Sequence, residues 1–334
     1  MHDPNFICDG ANGFAWQRRR RMKRTEMLDA TESILKTAGF NVSERCCARP
    51  SCFDFAVRRE EQIAFIKIFS NVENVAAKDA SELKMISSFF SAAPLFISDK
   101  MRYKPIEDDT VYERYGINAV TVKTLEDIIS RKMQPLIEAG PGGYYVNLFG
   151  DAIKEKRQKL GLSIGKLAEM LGISRRTLYG YERGLSKASV SAAYNLEWAL
   201  GTPLVKPIDI FETNPQTMGF LATARRMIIK NRFLQRVMKK LAQIDFRVAP
   251  TGKAPFDFIA QSSEESLNIL GGIIGRKERN INQRTEEIMS VSKIVNAQPV
   301  LIAESQRRRE TDIPFINHED LERIKHAGDF IAHL

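Results

Sequence analysis

The sequence lacks any long apolar run. None of its 334 residues belong to an uninterrupted apolar stretch near the roughly 18 residues that a membrane-spanning helix needs. A secretory signal is not evident either, because Arg18 to Arg21 are followed by the polar segment MKRTEMLDATES and not by an apolar core. These absences predict a cytoplasmic protein with no membrane partner.

Residues suited to metal binding or nucleophilic chemistry are few. The chain has four cysteines and four histidines, and Cys46, Cys47 and Cys52 show neither Cys-x-x-Cys spacing nor a nearby histidine. A metal site there would need a fourth ligand that the sequence does not show, so reduced thiols near strands are favoured. The glycines around position 142 precede Tyr144 and not a Lys-Ser or Lys-Thr pair, which excludes a P-loop. We predict no metal, no cofactor and no catalytic residue.

Negative charge is in deficit. The chain has 50 Lys and Arg against 41 Asp and Glu, a formal net charge of +9. The excess is local, since residues 1–24 carry six basic residues against two acidic ones and residues 151–200 carry nine against five. This balance favours a polyanionic partner for those two segments.

Between Leu148 and Leu200 the apolar residues recur at helical spacing in four short blocks. Ser163 is a predicted N-cap before the second block, Gly172 ends that block, and Ser174 is the predicted N-cap of the third. Two helices separated by so short a turn are typical of a helix-turn-helix.

The string GLSIGKLAEMLGISRRTLYGYERG resembles the DNA-binding domain of lambda-repressor-like (Cro/cI-type) regulators. The matching features are Leu167-Ala168, Gly172-Ile173-Ser174 and Tyr181-Glu182-Arg183-Gly184. The resemblance implies a structural ion pair between Arg157 of helix one and Glu182, which holds helix three in place. That family usually begins helix two with a phosphate-binding Gln, and this chain has Ile164 there. Contacts to phosphate should therefore come from other residues.

Helix three is the predicted reading helix. Its spacing buries Leu178 and Tyr181 on one face. Two arginines at its N-terminus oppose the helix dipole by roughly 0.3–1 kcal/mol each, and an anionic ligand would remove that conflict. Arg is also well suited to guanine in the major groove. The predicted DNA-binding residues are Ser174, Arg175, Arg176, Thr177, Tyr179 and Arg183, with Lys187 and Ser189 at phosphates.

The N-terminal third alternates helix and strand patterns from Met22 onward. Helices are predicted from Met22 to Gly39, over Lys78–Phe90 and over Thr124–Met133; strands are predicted at Asn41–Cys46, Cys52–Arg58, Gln62–Phe69, Leu95–Ser98 and Ala119–Val122. This interleaved order predicts an α/β layer. Residues 1–21 show no periodicity and are predicted to be a disordered basic extension, which a translation start at Met22 would explain. The alternative is a basic arm that contacts DNA phosphates.

The C-terminal third repeats the same order of patterns. Four segments match in sequence order: 25–42 with 231–248, Phe53-Asp54-Phe55 with Phe256-Asp257-Phe258, 87–98 with 290–303, and 117–128 with 313–324. Within the third segment, Pro94 aligns with Pro299 and Ile97 with Ile302. Four matches in one order predict an internal duplication.

A helix followed by an Asp-bearing strand and an apolar strand ending near Lys resembles the PD-(D/E)XK endonuclease and resolvase fold. The resemblance implies that Asp54 and Lys67 occupy active-site positions in the first copy, and that Asp257 does so in the second. The second metal-binding carboxylate is replaced by Phe65, and the lysine of the second copy by Gly271 or Gly272. We therefore expect vestigial nuclease positions, with Asp54 and Asp257 hydrogen-bonded to backbone and no enzyme activity.

The predicted fold class is α/β plus all-α, with two similar endonuclease-like α/β domains flanking a central four- to five-helix helix-turn-helix domain. The predicted boundaries are 22–138 for the first α/β copy, 144–201 for the helical domain, 202–218 for a linker and 219–334 for the second copy. The Gly-rich segment Ala139–Gly143 separates the first two.

The whole arrangement is similar to a group of archaeal HTH-type transcriptional regulators. That resemblance implies a DNA-binding regulator of unknown target and no enzyme activity. We predict that it binds double-stranded DNA in a sequence-specific manner as a homodimer, with the basal transcription machinery as a further candidate partner. Two alternatives stay open at this point. One is a metal-dependent nuclease or junction-processing enzyme targeted by the helix-turn-helix, and the other is an antitoxin-like interaction protein.

Overall fold

A computed structural model of the chain describes residues 22–213, 231–262, 267–275, 280–304 and 312–333. The predicted extension over 1–21 and the last part of the predicted linker lie outside these residues. No helix in the described ranges is both long and apolar enough to cross a membrane.

The first α/β domain builds a twisted sheet with helices on both faces. Its elements are α1 (Arg24–Thr37), β1 (Asn41–Val42), β2 (Phe55–Arg59), β3 (Gln62–Phe69), α2 (Ala77–Phe89), β4 (Ala93–Ser98), β5 (Lys100–Met101), β6 (Lys104–Pro105), β7 (Thr110–Arg114), β8 (Ile117–Val120) and α3 (Val122–Arg131). The strand order is β1-β2-β3-β4-β8-β7, with β3, β4 and β8 parallel. Strand β3 is buried on both faces: Ile66 packs in the cluster beneath α1 and α3, and Phe65 in the cluster with α2. This double burial explains its continuous apolar sequence.

Several predicted boundaries in this domain were wrong. The predicted strand Asn41–Cys46 ends at Val42, because the chain then forms an irregular loop closed by hydrogen bonds such as Cys46 N–H to the Asp54 carbonyl (2.8 Å). The predicted strand Ala119–Val122 ends earlier because the Thr121 hydroxyl caps α3, accepting the Thr124 N–H at 3.0 Å. Strand β7 was not predicted, because its sequence TVYER is short and contains three polar or charged residues.

The sheet continues past the first domain. Strand β9 (Ile137–Gly140) pairs with β7, and β10 (Gly143–Leu148) pairs antiparallel with β9. The Gly-rich segment predicted as a domain connector is the hairpin turn between them. The helical domain follows, with α4 (Gly150–Lys159), α5 (Ile164–Met170), α6 (Arg175–Glu182), β11 (Ala188–Ser189), α7 (Val190–Leu200) and β12 (Val205–Lys206). Because β11 and β12 both pair with β10, this domain is tied to the first sheet through hydrogen-bonded strands.

The start of the predicted linker packs back on the first α/β domain. The Ile208 N–H donates to the Pro135 carbonyl at 2.8 Å. Ile210 is buried in the cluster beneath α1, and the Phe211 ring stacks on Phe40 with 6.0 Å between centroids. Residues 208–211 are therefore held against the domain that precedes the helical one, whereas Leu204 and Val205 pack in the core of the helical domain.

The second α/β domain contains α8 (Arg232–Gln243), β13 (Phe246–Pro250), β14 (Phe258–Ser262), β15 (Asn268–Ile274), α9 (Ile281–Val295), β16 (Ala297–Ala303), β17 (Phe315–Asn317), α10 (His318–Arg323) and α11 (Ala327–Ile331). Its strand order is β13-β14-β15-β16-β17, with two antiparallel pairings followed by two parallel ones. The strands β1-β2-β3-β4-β8 of the first sheet pair in the same sequence of directions. Even the register agrees, since Phe65 pairs with Pro94 and Leu270 with Pro299.

The two α/β domains pack against each other through one continuous apolar cluster. Phe53 and Phe256 meet at its centre, with 6.4 Å between ring centroids. Two glutamates, each twelve residues before the matching proline, bind backbone N–H groups of the opposite domain. Glu82 accepts from Gly252 and Lys253 at 2.6 Å each, and Glu287 accepts from Cys47 and Ala48 at 2.9 and 2.7 Å. The contacts across this interface are therefore reciprocal.

Candidate nucleic-acid interface

The four helices of the helical domain surround a small apolar core. Ile153, Leu167, Leu178 and Leu196, one from each helix, are fully buried. Ile164, at the position where the Cro/cI-type pattern has Gln, lies half-buried against this core and contributes packing.

Helix starts in this domain are fixed by serine side chains. Ser163 accepts the Lys166 N–H at the start of α5, Ser174 accepts the Thr177 N–H at the start of α6, and Ser189 accepts the Ala192 N–H at the start of α7. The first two caps confirm the sequence prediction. Each such cap is worth about 1 kcal/mol, and the caps fix where the N-terminal N–H groups of α6 and α7 point.

The turn between α5 and α6 depends on Gly172. This residue has φ +65°, a left-handed conformation that glycine adopts without steric cost. Its N–H donates to the Glu169 carbonyl, and the Ile173 N–H donates to the Ala168 carbonyl at 3.0 Å. This pair of hydrogen bonds is a Schellman motif, which satisfies the last carbonyls of α5 and sets the angle at which α6 leaves.

A buried ion pair joins α4 to α6. Arg157 Nε donates to Glu182 Oε1 at 2.5 Å and Nη2 donates to Oε2 at 3.0 Å, while Nη1 binds the Leu162 carbonyl at 2.8 Å. Arg157 is 7% exposed and Glu182 is 6% exposed. The hydrogen bonds that Arg157 donates to Glu182 raise the pKa of the guanidinium group, so Arg157 stays charged. The two residues that the resemblance paired are thus in bidentate contact.

The outer face of α6 is cationic. Leu178 and Tyr181 point inward, whereas Arg175, Arg176 and Arg183 are exposed, as the helical spacing predicted. No carboxylate in the described parts of the chain pairs with any of these three guanidinium groups. Arg175 and Arg176 at the helix N-terminus and Arg183 at its C-terminal end are therefore available to an anionic ligand.

Neighbouring residues on this face hold the exposed arginines in defined positions. Arg183 Nε donates to the Tyr179 hydroxyl at 3.2 Å, and its guanidinium lies 5.5 Å from the centroid of that ring. Arg175 passes over Gly165, where an added Cβ would come within 2.9 Å of its Nε atom. The half-buried Thr177 has its hydroxyl 2.8 Å from Ser174 Oγ. Gly165 was missed in the sequence because its role depends on a side chain ten residues away.

Lys187 and Ser189 lie in the segment that leads into α7. Ser189 caps that helix, so its hydroxyl already accepts one N–H group. Lys187 is exposed, but its ammonium group is paired with Glu138 of β9. Sequence reasoning missed this pairing, since the two residues are 49 positions apart. A phosphate contact by Lys187 would have to displace the carboxylate.

The nuclease-like position of the first α/β domain contains a carboxylate surrounded by donors. Asp54 is 5% exposed and accepts hydrogen bonds from Arg24 Nη2 (2.6 Å), Lys67 Nζ (2.9 Å) and the Ile68 N–H (2.8 Å). The last contact confirms the expected bond to backbone. Phe65, where the family pattern has the second carboxylate, is fully buried and meets the Phe53 ring edge-on.

The corresponding carboxylate of the second domain is also held by two cations. Asp257 binds Arg49 of the first domain at 2.8 Å, Arg284 of α9, and the Ile273 N–H at 2.6 Å. Gly272 stands two residues after Leu270, where Lys67 stands after Phe65 in the first sheet. Arg284 occupies that region, since an added Cβ at Gly272 would lie 3.6 Å from its Nη2 atom.

The described residues hold no group of three or more His, Cys, Asp or Glu side chains that could bind a metal ion. Each carboxylate at a nuclease-like position is neutralised by two cations of the chain itself. Each carboxylate also accepts a hydrogen bond from a strand N–H group, that of Ile68 or that of Ile273.

Comparison with known proteins identifies two regions of the chain. Residues 24–135 match the PD-(D/E)XK superfamily domain, and residues 153–206 match the helix-turn-helix family. No solved structure matches the chain.

Relatives of similar length occur in several organisms. A protein of Thermococcus kodakarensis named "Putative HTH-type transcriptional regulatory protein" is 33% identical over 312 residues, covering 93% of this chain and 95% of the relative. Proteins of the same name from Methanococcoides burtonii and Haloarcula marismortui are 33% and 30% identical, each over 92% of this chain and 95% of the relative.

Proposed function

The chain belongs to this family of archaeal HTH-type transcriptional regulatory proteins, and we propose that it regulates transcription by reading double-stranded DNA with α6. The observation that carries the proposal is the face formed by Arg175, Arg176 and Arg183. These guanidinium groups are exposed and have no carboxylate partner in the described residues, while the opposite face of the same helix is buried. The ligand that fits such a face is a polyanion with acceptor groups in a groove.

The side chains divide into two roles. Ser174, Arg175, Arg176 and Thr177 lie at the N-terminal end of α6, from which base edges are reached when such a helix enters the major groove. Tyr179 and Arg183 follow on the same face. Lys187 and the N-terminus of α7 at Ser189 contact phosphates and position the domain.

The regulator acts as a homodimer. The described part of each chain contains one such helical domain, and two copies of α6 about 34 Å apart would enter successive major grooves on one face of the duplex. Their arrangement would follow the two-fold symmetry of the operator.

Selection of duplexes from a random pool tests this function. The wild-type chain should enrich a defined sequence, and the double variant Arg175→Ala/Arg176→Ala should retain DNA without enriching it. A wild-type protein that retains no duplex, or that retains all sequences equally, would contradict the proposal.

The two α/β domains descend from one duplicated unit. The identical sequence of strand pairing directions, the matching register at Pro94 and Pro299, and the reciprocal contacts of Glu82 and Glu287 support this origin. Their role in the chain is to provide a rigid platform. Because the two domains share one apolar cluster, they are held together as a pair within a single chain.

Neither α/β domain hydrolyses nucleic acid. In support, Asp54 and Asp257 each bind two cations of the chain, and the second carboxylate of the pattern is Phe65 in the first domain. Linear and branched DNA incubated with the protein and magnesium or manganese should stay intact. Cleavage by the wild type that disappears in Asp54→Ala would overturn this proposal.

A further inference from the structure

The outward face of α7 carries an apolar stripe. Val190, Tyr194 and Trp198 follow each other at intervals of four residues, which places them on one side of the helix. They are 41%, 65% and 80% exposed. We call these three residues the α7 stripe. On the opposite side of the same helix Ala193, Leu196 and Leu200 are buried in the core, so the exposure does not result from a loosely packed helix.

The face that carries the α7 stripe is also uncharged. The other exposed residues of α7 are Ser191 and Asn195. The α6 face, by contrast, presents three unpaired arginines. DNA phosphates are attracted to the α6 face, whereas none of the exposed residues of α7 is a cation. An uncharged face can meet an identical face without repulsion between like charges, which favours a self-complementary contact.

An extensive apolar surface of the described residues is already used within the chain. The cluster that joins the two α/β domains is buried within one chain, so it is not available for association between chains. The α7 stripe lies on the helix that directly follows α6 and its connecting loop. A contact through the stripe therefore couples two reading helices while leaving the arginine face of each one free.

We propose that a second copy of this chain docks on the α7 stripe, forming an antiparallel pair of α7 helices across a two-fold axis. Tyr194 is the middle residue of the stripe and lies nearest the axis. Val190 of one copy then packs against Trp198 of the other, and the same contact repeats by symmetry. This inference rests on the proposed function, because it assigns the surface through which two reading helices are held together.

The area of the α7 stripe sets the expected strength of this contact. Two exposed aromatic side chains bury on the order of 300 Å² per copy. A stable interface buries about 800 Å² per partner. We therefore expect a weak dimer in free solution, which tightens when both chains sit on adjacent half-sites of one duplex because their effective concentration rises.

Sedimentation of the full chain without DNA tests the contact directly. The wild type should show a monomer–dimer equilibrium, and Trp198→Asp should weaken it by at least about tenfold. Tyr103→Asp is the matched control, because Tyr103 is 92% exposed in the turn between β5 and β6 of the first α/β domain. If the wild type and Trp198→Asp sediment alike, whether as monomers or as dimers, the proposal is wrong. Since DNA is not present, failure of the DNA-reading proposal would not affect this result.

Tryptophan fluorescence separates a second copy from other occupants. The chain has two tryptophans, Trp16 and Trp198, so Trp16→Phe leaves Trp198 as the sole reporter. Its emission should shift to shorter wavelength as protein concentration rises. A blue-shifted emission that does not change with concentration would mean that the chain's own residues cover the stripe. A shift that occurs only when a different protein, such as the basal transcription machinery, is added would also overturn the proposal.

Cross-linking tests the antiparallel geometry and does not depend on a destabilising substitution. In a chain with Cys8→Ser and Cys47→Ser, which leaves the buried Cys46 and Cys52, Tyr194→Cys should form an intermolecular disulfide on mild oxidation. Tyr103→Cys in the same background should not. Equal cross-linking by both variants would indicate random collision and would contradict the two-fold axis at Tyr194.

Discussion

Arg176 of the helical domain and Arg284 of the second α/β domain have opposite surroundings. Arg284 is 5% exposed and binds the Pro255 carbonyl at 2.6 Å, the Ile273 carbonyl at 3.1 Å and the Asp257 carboxylate. Arg176 is exposed on α6 and pairs with no carboxylate in the described residues. A guanidinium whose donors are already bound fixes backbone and loops, whereas one whose donors face water remains available for a ligand.

The same contrast separates whole regions of the chain. In the α/β domains the positions that resemble a nuclease site carry carboxylates neutralised by Arg24, Lys67, Arg49 and Arg284. In the helical domain a single pair, Arg157 with Glu182, is buried, and the remaining arginines point outward. The four cations at the nuclease-like positions are bound to carboxylates of the chain, whereas Arg175, Arg176 and Arg183 have no carboxylate partner in the described residues.

The largest expected effect comes from breaking the buried pair of the helical domain. Glu182→Ala leaves the Arg157 guanidinium buried without its partner, which should lower the free energy of unfolding by roughly 3–5 kcal/mol. Denaturant unfolding of the full chain would measure the loss. Glu155→Ala, which removes an exposed pair with Lys159, is the control and should cause no measurable change. Equal losses in both variants would show that the buried pair contributes no more to the free energy of unfolding than the exposed pair does.

A somewhat smaller loss should follow in the second α/β domain. Asp257→Ala removes the acceptor of Arg49, Arg284 and the Ile273 N–H, and we expect a loss of roughly 2–3 kcal/mol. The matched control is Asp320→Ala, whose contact with Arg323 spans 3.6 Å at the surface. Asp257→Asn should fall between the two, since it keeps the shape of the side chain. A stability of Asp257→Ala equal to that of the control would contradict the structural role of this carboxylate.

Lys187 is paired with a carboxylate and is also a proposed phosphate contact, so its variants test whether a paired cation contributes to DNA affinity. Lys187→Ala should weaken binding to all duplexes alike and reduce the dependence of log affinity on log salt by about one. Glu138→Gln frees the Lys187 ammonium group from its partner and should strengthen binding by a small factor. Affinity measured at several salt concentrations would check both variants. Weaker binding by Glu138→Gln would mean that the ion pair itself positions the helical domain.

The smallest expected effect concerns the interface between the two α/β domains. Burial raises the pKa of Glu82, even though the Lys253 and Gly252 N–H groups oppose this shift. The protonated form is thus favoured in the folded state, so the stabilisation is present at low pH and is lost as pH rises through the raised pKa. Glu82→Gln should remove this dependence while its amide oxygen still accepts both N–H groups. A pH profile of stability that stays unchanged in this variant would contradict the assignment.

Local signals made the helical domain predictable from sequence. The caps at Ser163 and Ser174, the left-handed Gly172 and the inward spacing of Leu178 and Tyr181 all act within a few residues. The α/β strands at the centre of the sheet were found because burial on both faces leaves a continuous apolar run, as in Gln62–Phe69.

Long-range contacts could not be predicted in the same way. Arg49 reaches Asp257 across 208 positions, and Glu287 reaches the loop at Cys47 across 240. The hairpin of β9 and β10 was missed because its glycines are typical of a connector, and its pairing with β7 depends on a strand that is itself polar. Charged residues so far apart in the sequence give no local pattern that shows which of them form a pair.

A comparison of Arg176→Ala with Lys187→Ala tests most directly whether α6 reads base sequence. Affinities would be measured for the selected duplex and for duplexes with single base-pair changes. Arg176→Ala should lose roughly 1–3 kcal/mol of discrimination at one base pair, whereas Lys187→Ala should keep the wild-type ratio while binding every duplex more weakly. Equal loss of affinity for all duplexes in both variants would contradict base reading by α6.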